Sequence, residues 1–394
     1  MVPPHWNYEF GMRSLDQFAQ DRLQQRDAQN LRRAIAETEP DDGVWVTRDG
    51  RRLLSFCSND YLNLTQHPAI KQAAKDAIDR YGAGAGASRL ITGSHPLYAE
   101  LEARLARLKG TEAACVFGSG YLANTGIIPA LVGKGDLIVV DELAHSCIRT
   151  GASLSGAEIK LFRHNDVDHA RELLAVHRKS HGHALLVTEG VFSMDGDLAP
   201  LHELADLAQQ YDAWLMTDDA HGIGVLGQGR GSTFAHAELP HVPLQMGTLS
   251  KAIGSYGGYL CASQPVIDLM QNRARTLIYS TGLPPAAVAA SIAALDLVEN
   301  EPDYAALPLR KAKSFTALTN LPQATSPIVP LLIGDEERTM ASARLLEDEG
   351  FLVIGIRPPT VPAGTARLRF TFSAGHEDRD IERLASVVRE RVLA

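Results

Sequence analysis

Aromatic residues make up only 6% of this 394-residue chain, and cysteine occupies just four positions, Cys57, Cys115, Cys147 and Cys261. The cysteines lie far apart without CxxC pairing, so neither a disulfide framework nor a metal site is expected, and the thiols read as reduced and mostly buried. No apolar run is long enough to span a bilayer. The longest, around Leu283 to Leu295, is alanine-rich and is followed at once by Asp296, so it reads as a buried helix. Positive charge is also in short supply: 38 Lys and Arg stand against 47 Asp and Glu, a formal net charge of -9. The basic residues are scattered, which argues against a nucleic-acid or anionic-membrane surface and leaves small polar substrates open. The opening Met1-Val2-Pro3-Pro4-His5-Trp6-Asn7-Tyr8-Glu9 lacks the basic flank and apolar run of a secretory signal, so a cytoplasmic location is expected. Repeats and low-complexity tracts are missing too, apart from Gly82-Ala83-Gly84-Ala85-Gly86-Ala87.

What is present is enough apolar residue, 45%, to bury a large core, and a length that suggests one large and one smaller domain. Residues 14–38 are polar with recurrent Leu15, Phe18, Leu23, Leu31 and Ile35, which predicts an N-terminal helical arm, packed on something else, leading to a short strand at Val44-Trp45-Val46. The arm and strand are expected over 1–55. A large domain should follow over 56–295. There Leu137-Ile138-Val139-Val140, Leu185-Leu186-Val187, Trp214-Leu215-Met216 and Tyr259-Leu260-Cys261 alternate with helical patterns, the signature of an α/β fold with a mostly parallel sheet flanked by helices. Leu97, Leu101, Leu105 and Leu108 form one core-facing helical stripe, and Pro200 opens another. A smaller α+β domain is expected over 296–394, with strands at Ile328 to Ile333, Phe351 to Ile356 and Arg367 to Thr371. Its helices should run from Arg338 to Glu349, stopped by Gly350, and from Asp378 to Leu393.

In open parallel sheets ligands bind beyond the carboxyl ends of the strands. Each apolar run here is followed by polar groups: Asp141 and His145, Glu189 and Ser193, Asp218 and His221, Thr248 and Lys251. Lys251 stands in Gly247-Thr248-Leu249-Ser250-Lys251-Ala252-Ile253-Gly254, a small-residue stretch where desolvation would lower its pKa and leave an amine able to attack a carbonyl. Alone it reads equally as a turn lysine or as half of a Ser-Lys hydrolase pair. The neighbouring strand ends favour an imine with pyridoxal phosphate, which needs a lysine for its aldehyde, a carboxylate for its pyridine nitrogen, a donor near its phenolic oxygen and a flat side chain over its ring. Lys251, Asp218, His221 and His145 can fill those places in that order. Gly118-Ser119-Gly120-Tyr121 runs into a helical stretch and offers backbone amides for the phosphate, with the Thr248 hydroxyl beside it. A nicotinamide oxidoreductase is excluded because the Gly82 tract has no strand before it; it reads instead as a shaped loop near the site.

Asn59-Asp60-Tyr61-Leu62, Tyr81-Gly82 through Ser88-Arg89, Glu189-Gly190-Val191-Phe192-Ser193-Met194-Asp195-Gly196-Asp197, Asp218-Asp219-Ala220-His221-Gly222 and Gly247-Thr248-Leu249-Ser250-Lys251 resemble the α-oxoamine synthases, fold type I pyridoxal phosphate enzymes. The resemblance covers nearly the whole chain. It implies condensation of an amino acid with an acyl thioester and loss of carbon dioxide, with Lys251, His145 and Asp218 catalytic. It further implies cofactor contacts from Gly120, Tyr121, Glu189, Ser193, His221 and Thr248. Ile356-Arg357-Pro358-Pro359-Thr360 through Arg367-Leu368-Arg369 looks most like members that join L-alanine to a pimeloyl thioester, carried on coenzyme A or an acyl-carrier protein, in biotin synthesis. Sister members that take glycine or serine are the alternative.

By the same resemblance Arg357 would hold the amino-acid carboxylate with its guanidinium fork. Asn59 and Thr360 would line the substrate site, and Arg32, or the adjacent Arg33, would contact substrate from the arm. Such enzymes place their sites at a homodimer interface, with Thr281 of the Ser280-Thr281 pair reaching the neighbouring subunit's phosphate. One departure is visible: Asn63 stands where the family usually has glycine after Tyr-Leu, and asparagine tolerates the left-handed backbone that such a turn requires. A ligand-sensing regulator on this fold would carry an added DNA-binding module, for which the arm is too short and too acidic.

Overall fold

The computed structural model describes residues 13–28 and 31–393. The expectation of no secretory signal at Met1 to Glu9 falls outside them. Fourteen strands occur among the described residues: β1 (Glu39–Pro40), β2 (Trp45–Arg48), β3 (Arg51–Ser55), β4 (Ala113–Phe117), β5 (Leu137–Asp141), β6 (Glu158–Phe162), β7 (Ala184–Glu189), β8 (Trp214–Asp218), β9 (Leu244–Thr248), β10 (Gly258–Ala262), β11 (Ile328–Gly334), β12 (Phe351–Leu352), β13 (Ile354–Ile356) and β14 (Ala366–Thr371).

Seven of them form the central sheet in the order β4-β10-β9-β8-β7-β5-β6. Parallel pairing joins β6, β5, β7, β8 and β9. β10 is antiparallel to both its neighbours, so Tyr259 to Cys261 does not belong to the parallel set in which the alternating pattern placed it. The reason is connection length. A parallel crossover needs a dozen or more residues, and only the loop from Leu249 to Gly257 separates β9 from β10, so the chain turns straight back. That loop carries Lys251. β5, β7 and β8 are covered on both faces, which is why they read as continuous apolar runs. Ile138, Val140, Leu185 and Val187 are fully buried in one core, and each such side chain stabilises the fold by about 1.5–3 kcal/mol.

Local chemistry starts and stops the helices that aim the strand ends. Ser119, extended at φ −167°, caps the helix Gly120–Leu131 by accepting from the Leu122 amide, and the helix Leu97–Lys109 ends on Gly110 in the left-handed region at φ +65°. Asn63 adopts φ +54°, so the turn keeps the backbone expected of a glycine there. Beneath β8, Lys109 and Asp219, both without side-chain exposure, form an ion pair at 2.7 Å, and Lys109 also donates to the Arg230 carbonyl. This strut holds the residue next to Asp218.

A second core gathers Leu54, Phe56, Phe351, Phe370 and Phe372 with the helices Glu336–Asp348 and Asp378–Arg391. β3 pairs in parallel with β12, and β14 lies between β11 and β13. Along β14 the period of two sends Leu368 and Phe370 into that core and leaves Arg367 and Arg369 on the opposite side, toward the large sheet. The arm helix runs from Arg13 to Ala28, and residues 31–38 continue without helix. Leu15, Phe18, Leu23 and Ile35 are all exposed on this chain.

Candidate active site

A cavity of about 170 Å³ opens at the carboxyl ends of β5, β7, β8 and β9, and its wall includes Gly120, Tyr121, His145, Glu189, Asp218, His221, Thr248 and Lys251. Eight side chains or backbone turns read from separate stretches of sequence are thus brought together. Asp218, at the end of β8, accepts from the Ala220 amide at 3.0 Å and from the Asn124 side-chain amide at 2.7 Å. His221 Nδ1 meets the Tyr61 hydroxyl at 2.6 Å. Burial, with the Lys251 and Arg369 charges behind it, holds the His221 ring well below its ordinary pKa, so it is neutral. Lys251 is lowered chiefly by burial, against which Asp218 and Glu189 pull upward. Glu189 is pushed up to about 8, first by burial and then by Asp218, while its Oε1 accepts from the His145 backbone amide at 2.6 Å.

Two features prepare the end of the cavity nearest the helix Gly120–Leu131. The first amides of a helix have no intrahelical acceptor, and those of Gly120 and Tyr121 stand at its positive end. Gly258 must be glycine, because a Cβ there would lie 2.5 Å from the Ser119 carbonyl oxygen and 2.7 Å from the Gly120 nitrogen. Thr248 Oγ1 donates to the Gly257 carbonyl at 2.8 Å and lies 2.8 Å from Ser250 Oγ, a hydroxyl on the same wall to which the sequence reading gave no cofactor role.

Not every expected residue reaches this cavity. Arg357 and Arg32 line a different cleft of about 880 Å³, between the arm and the helix Glu336–Asp348, with Asp27, Met340 and Arg344. Arg32 pairs with Asp27 at 2.8 Å, and Arg357 lies 3.1 Å from the Met340 sulfur. Thr360, exposed, is 3.5 Å from Arg33, not Arg32. Thr281 is exposed and bridges Ser88, while Gly282 bonds Ala87, so the Gly82 to Ala87 loop packs beside Thr281 and is not part of the cavity wall.

The arginine whose charge reaches the site is Arg369. It is 7% exposed; its Nε donates to the Ser193 carbonyl at 2.5 Å and its Nη2 to Asn59 Oδ1 at 3.2 Å, and its charge acts on both His221 and Lys251. Asn59 and Ser193 thus contact Arg369 and do not line the cavity wall itself. A signal for Arg369 was present: two arginines two residues apart in the strand Ala366 to Thr371 share one face and must find partners when buried. The Arg367 partner is Asp195.

The donor set suits pyridoxal phosphate. An acceptor-only carboxylate, a neutral imidazole, a helix start with two hydroxyls and a depressed lysine surround one small cavity, and among the described residues no group accepts a hydrogen bond from Lys251 Nζ.

Residues 51–388 match the model of the aminotransferase class I and II family. The chain is 62% identical to the putative 8-amino-7-oxononanoate synthase of Parvibaculum lavamentivorans, over 97% of this chain and 98% of that one. It is 61% identical to the 8-amino-7-oxononanoate synthase of Beijerinckia indica, over 96% and 98%. The chain belongs to the 8-amino-7-oxononanoate synthases, within that aminotransferase family. It is accordingly a fold type I acyltransferase that uses pyridoxal phosphate. Among solved structures, a serine palmitoyltransferase from S. paucimobilis with a PLP-myriocin adduct superimposes at TM-score 0.89 with 28% identity, covering 96% of this chain and 97% of that one. The 8-amino-7-oxononanoate synthase of Francisella tularensis gives 0.74 with 26% identity, covering 86% and 98%.

Proposed function

We propose that the chain condenses L-alanine with a pimeloyl thioester, releasing carbon dioxide and the free thiol and yielding 8-amino-7-oxononanoate for biotin synthesis. The observation that carries this is the convergence of Lys251, Asp218, His221 and His145 on one cavity with Arg369 at its edge. Bound pyridoxal phosphate supplies an electron sink for the carbanion formed at the amino-acid Cα, both before acyl transfer and on loss of carbon dioxide.

Lys251 would hold the cofactor aldehyde, and its amine would serve as the base for the Cα proton of alanine. Its lowered pKa suits that work, because a neutral amine is the competent base. Asp218 keeps the pyridine nitrogen protonated, and its carboxylate is held in place by Asn124 and the Ala220 amide. His221, with Tyr61 behind it, would hold the phenolic side of the cofactor. His145 would cover the ring and restrict water. The Gly120 and Tyr121 amides with Thr248 receive the phosphate, and Thr281 reaches that of a neighbouring subunit. The carboxylate of alanine is held by Arg369, not Arg357: only Arg369 is buried beside Asn59 and within electrostatic reach of Lys251. Arg357, Arg32 and Thr360 act farther out, on the acyl thioester.

A homodimer is supported by the exposed Leu15, Phe18 and Leu23 of the otherwise polar arm and by Ile91 and Tyr279, 75% and 72% exposed. Among the described residues no helix is long and apolar enough to cross a membrane, and a cytoplasmic enzyme that takes its thioester from coenzyme A or an acyl-carrier protein fits. The test is to supply alanine, glycine or serine separately with pimeloyl thioester and measure carbon dioxide and ketone product. Turnover with alanine at least about tenfold above the other two is expected. Preference for glycine or serine would move the chain to a sister reaction.

A further inference from the structure

A chain of side chains that the reaction itself does not call for links the two faces of the cavity. Asn124, fully buried on the helix Gly120–Leu131, donates from Nδ2 both to Asp218 Oδ2 at 2.7 Å and to the Cys147 sulfur at 3.1 Å, while its own Oδ1 is buried without a partner. The Cys147 sulfur lies 2.8 Å from His145 Nδ1, and the Cys147 backbone amide donates to the same nitrogen at 3.2 Å.

The direction of each hydrogen bond follows from what its partners can do. An ionised Asp218 can only accept, so the nitrogen of the Asn124 amide, not its oxygen, must face it. The same nitrogen donates to Cys147, so the sulfur accepts there and its S–H is left to donate onward. His145 Nδ1 already receives one backbone N–H and cannot itself carry a proton toward that donor. It accepts the thiol as well.

We propose that Asn124 and Cys147 are positioning residues that hold His145 as the tautomer protonated at Nε2, through a one-way chain from Asn124, anchored on Asp218, through Cys147 to Nδ1. The ring that would cover the cofactor then offers its Nε2–H edge and no lone pair, and it shares an anchor with the carboxylate that would hold the pyridine nitrogen protonated. Burial keeps the parts in the required states: it lowers the His145 pKa, and, aided by Asp218, it pushes the Cys147 thiol up to about 12, so the ring stays neutral and the S–H stays on. The same elevation makes Cys147 a poor nucleophile, which leaves a donor role rather than an acyl-carrying one. The meaning for catalysis rests on the proposed condensation; the tautomer itself does not.

Nitrogen NMR on cofactor-free protein labelled with ¹⁵N in its histidine rings tests the chain, with His145→Gln used to assign the signals. In the unaltered protein Nδ1 should be unprotonated and Nε2 protonated. Cys147→Ala, and Cys147→Val as a variant that keeps the volume filled, should each lower the ratio of the two tautomers roughly fivefold, the size of one lost neutral hydrogen bond. Cys147→Ser should keep it within about twofold, since a hydroxyl donates in the same way. A protonated Nδ1 in the unaltered protein, a ratio untouched by Cys147→Ala and Cys147→Val, or a serine variant that behaves like alanine would overturn the proposal. An Asn124→Ala ratio equal to that of the unaltered protein would remove Asn124 from it. In the loaded enzyme, kcat of Cys147→Ala should fall roughly tenfold, as for other partners that orient a functional histidine. Absence of alanine turnover in the unaltered protein would reject the proposed function and leave the tautomer result standing.

Discussion

Two clefts of this molecule, one with no arginine in its wall and one lined by three, are built on different principles. The cavity at the ends of β5, β7, β8 and β9 takes its residues from parallel strands whose register sets where each side chain emerges. The outer cleft, with Arg32, Arg344 and Arg357, takes its residues from the arm, the helix Glu336–Asp348 and the segment after β13, none of which is hydrogen-bonded to the central sheet. In the first, burial shifts the titration of Lys251, His145, Glu189 and His221; in the second, exposed pairs such as Arg32 with Asp27 are screened and contribute little. A buried polar group must have a designated partner, whereas a surface arginine can have many. The contrast fits the proposed placing of chemistry at the strand ends and of thioester capture in the outer cleft.

The comparison breaks most easily at Lys251. Lys251→Ala should lose the yellow colour that borohydride bleaches and at least about 10⁴-fold in turnover, because it removes both the imine and the base; a coloured, active variant would dissolve the contrast. Asp218→Asn comes next, with cofactor retained but exchange of the alanine Cα proton slowed by about 10³-fold, measured by deuterium uptake. Unchanged exchange would take Asp218 out of the electron-sink role.

The sharpest division of the two clefts is a pair of arginine variants. Arg369→Ala should raise the KM for alanine by roughly 10–100-fold, the value of a charge-assisted hydrogen-bonded pair, while Arg357→Ala should leave it within about threefold and raise the KM for the thioester instead. The reverse pattern in steady-state kinetics would return the carboxylate to Arg357.

The smallest effect concerns the turn that carries Ser193. His164 bonds Asp141 at 3.1 Å and Asp197 at 2.8 Å; burial works against its charge, but the two carboxylates outweigh it and push the ring from 6.5 up to about 10. The folded protein thus holds this proton more tightly than the unfolded chain, so the stabilisation is complete below about 6.5 and is lost as pH rises to about 10. His164→Gln should flatten that slope in a series of Tm measurements from about pH 6 to about pH 10. An unchanged slope would show that the bridge between β5 and this turn carries no weight.

Much of the seven-stranded sheet was legible because its signals are local. Continuous apolar runs mark strands buried on both faces, and the polar residue after each run marks the strand end, so Asp218, Glu189, Thr248 and His145 could be found one at a time. The direction of β10 was not legible from its own residues, since Tyr259 to Cys261 reads the same in either orientation; the short loop before it decides. Arg369 and Arg357 differ in a way that no motif weighs. Ile356 pairs with Arg367 across adjacent strands, yet Arg357, one residue later, leaves the sheet toward the outer cleft, while Arg369 follows the alternation of β14 inward.

The amino-acid sequence by itself determined the α/β fold and singled out Lys251, because periodicity and strand-end chemistry are properties of neighbours in the chain, and the resemblance of its motifs pointed to the family. The tertiary structure alone decided which arginine lies buried beside Asn59 at the edge of the cavity, that Tyr61 stands behind His221, and that Asn124 and Cys147 join Asp218 to His145. Those contacts link residues tens to hundreds of positions apart, or depend on which way one side chain turns inside a packed core. Only the packing of the small domain on the sheet, and of the helix Gly120–Leu131 against the end of β8, brings such atoms within hydrogen-bonding distance.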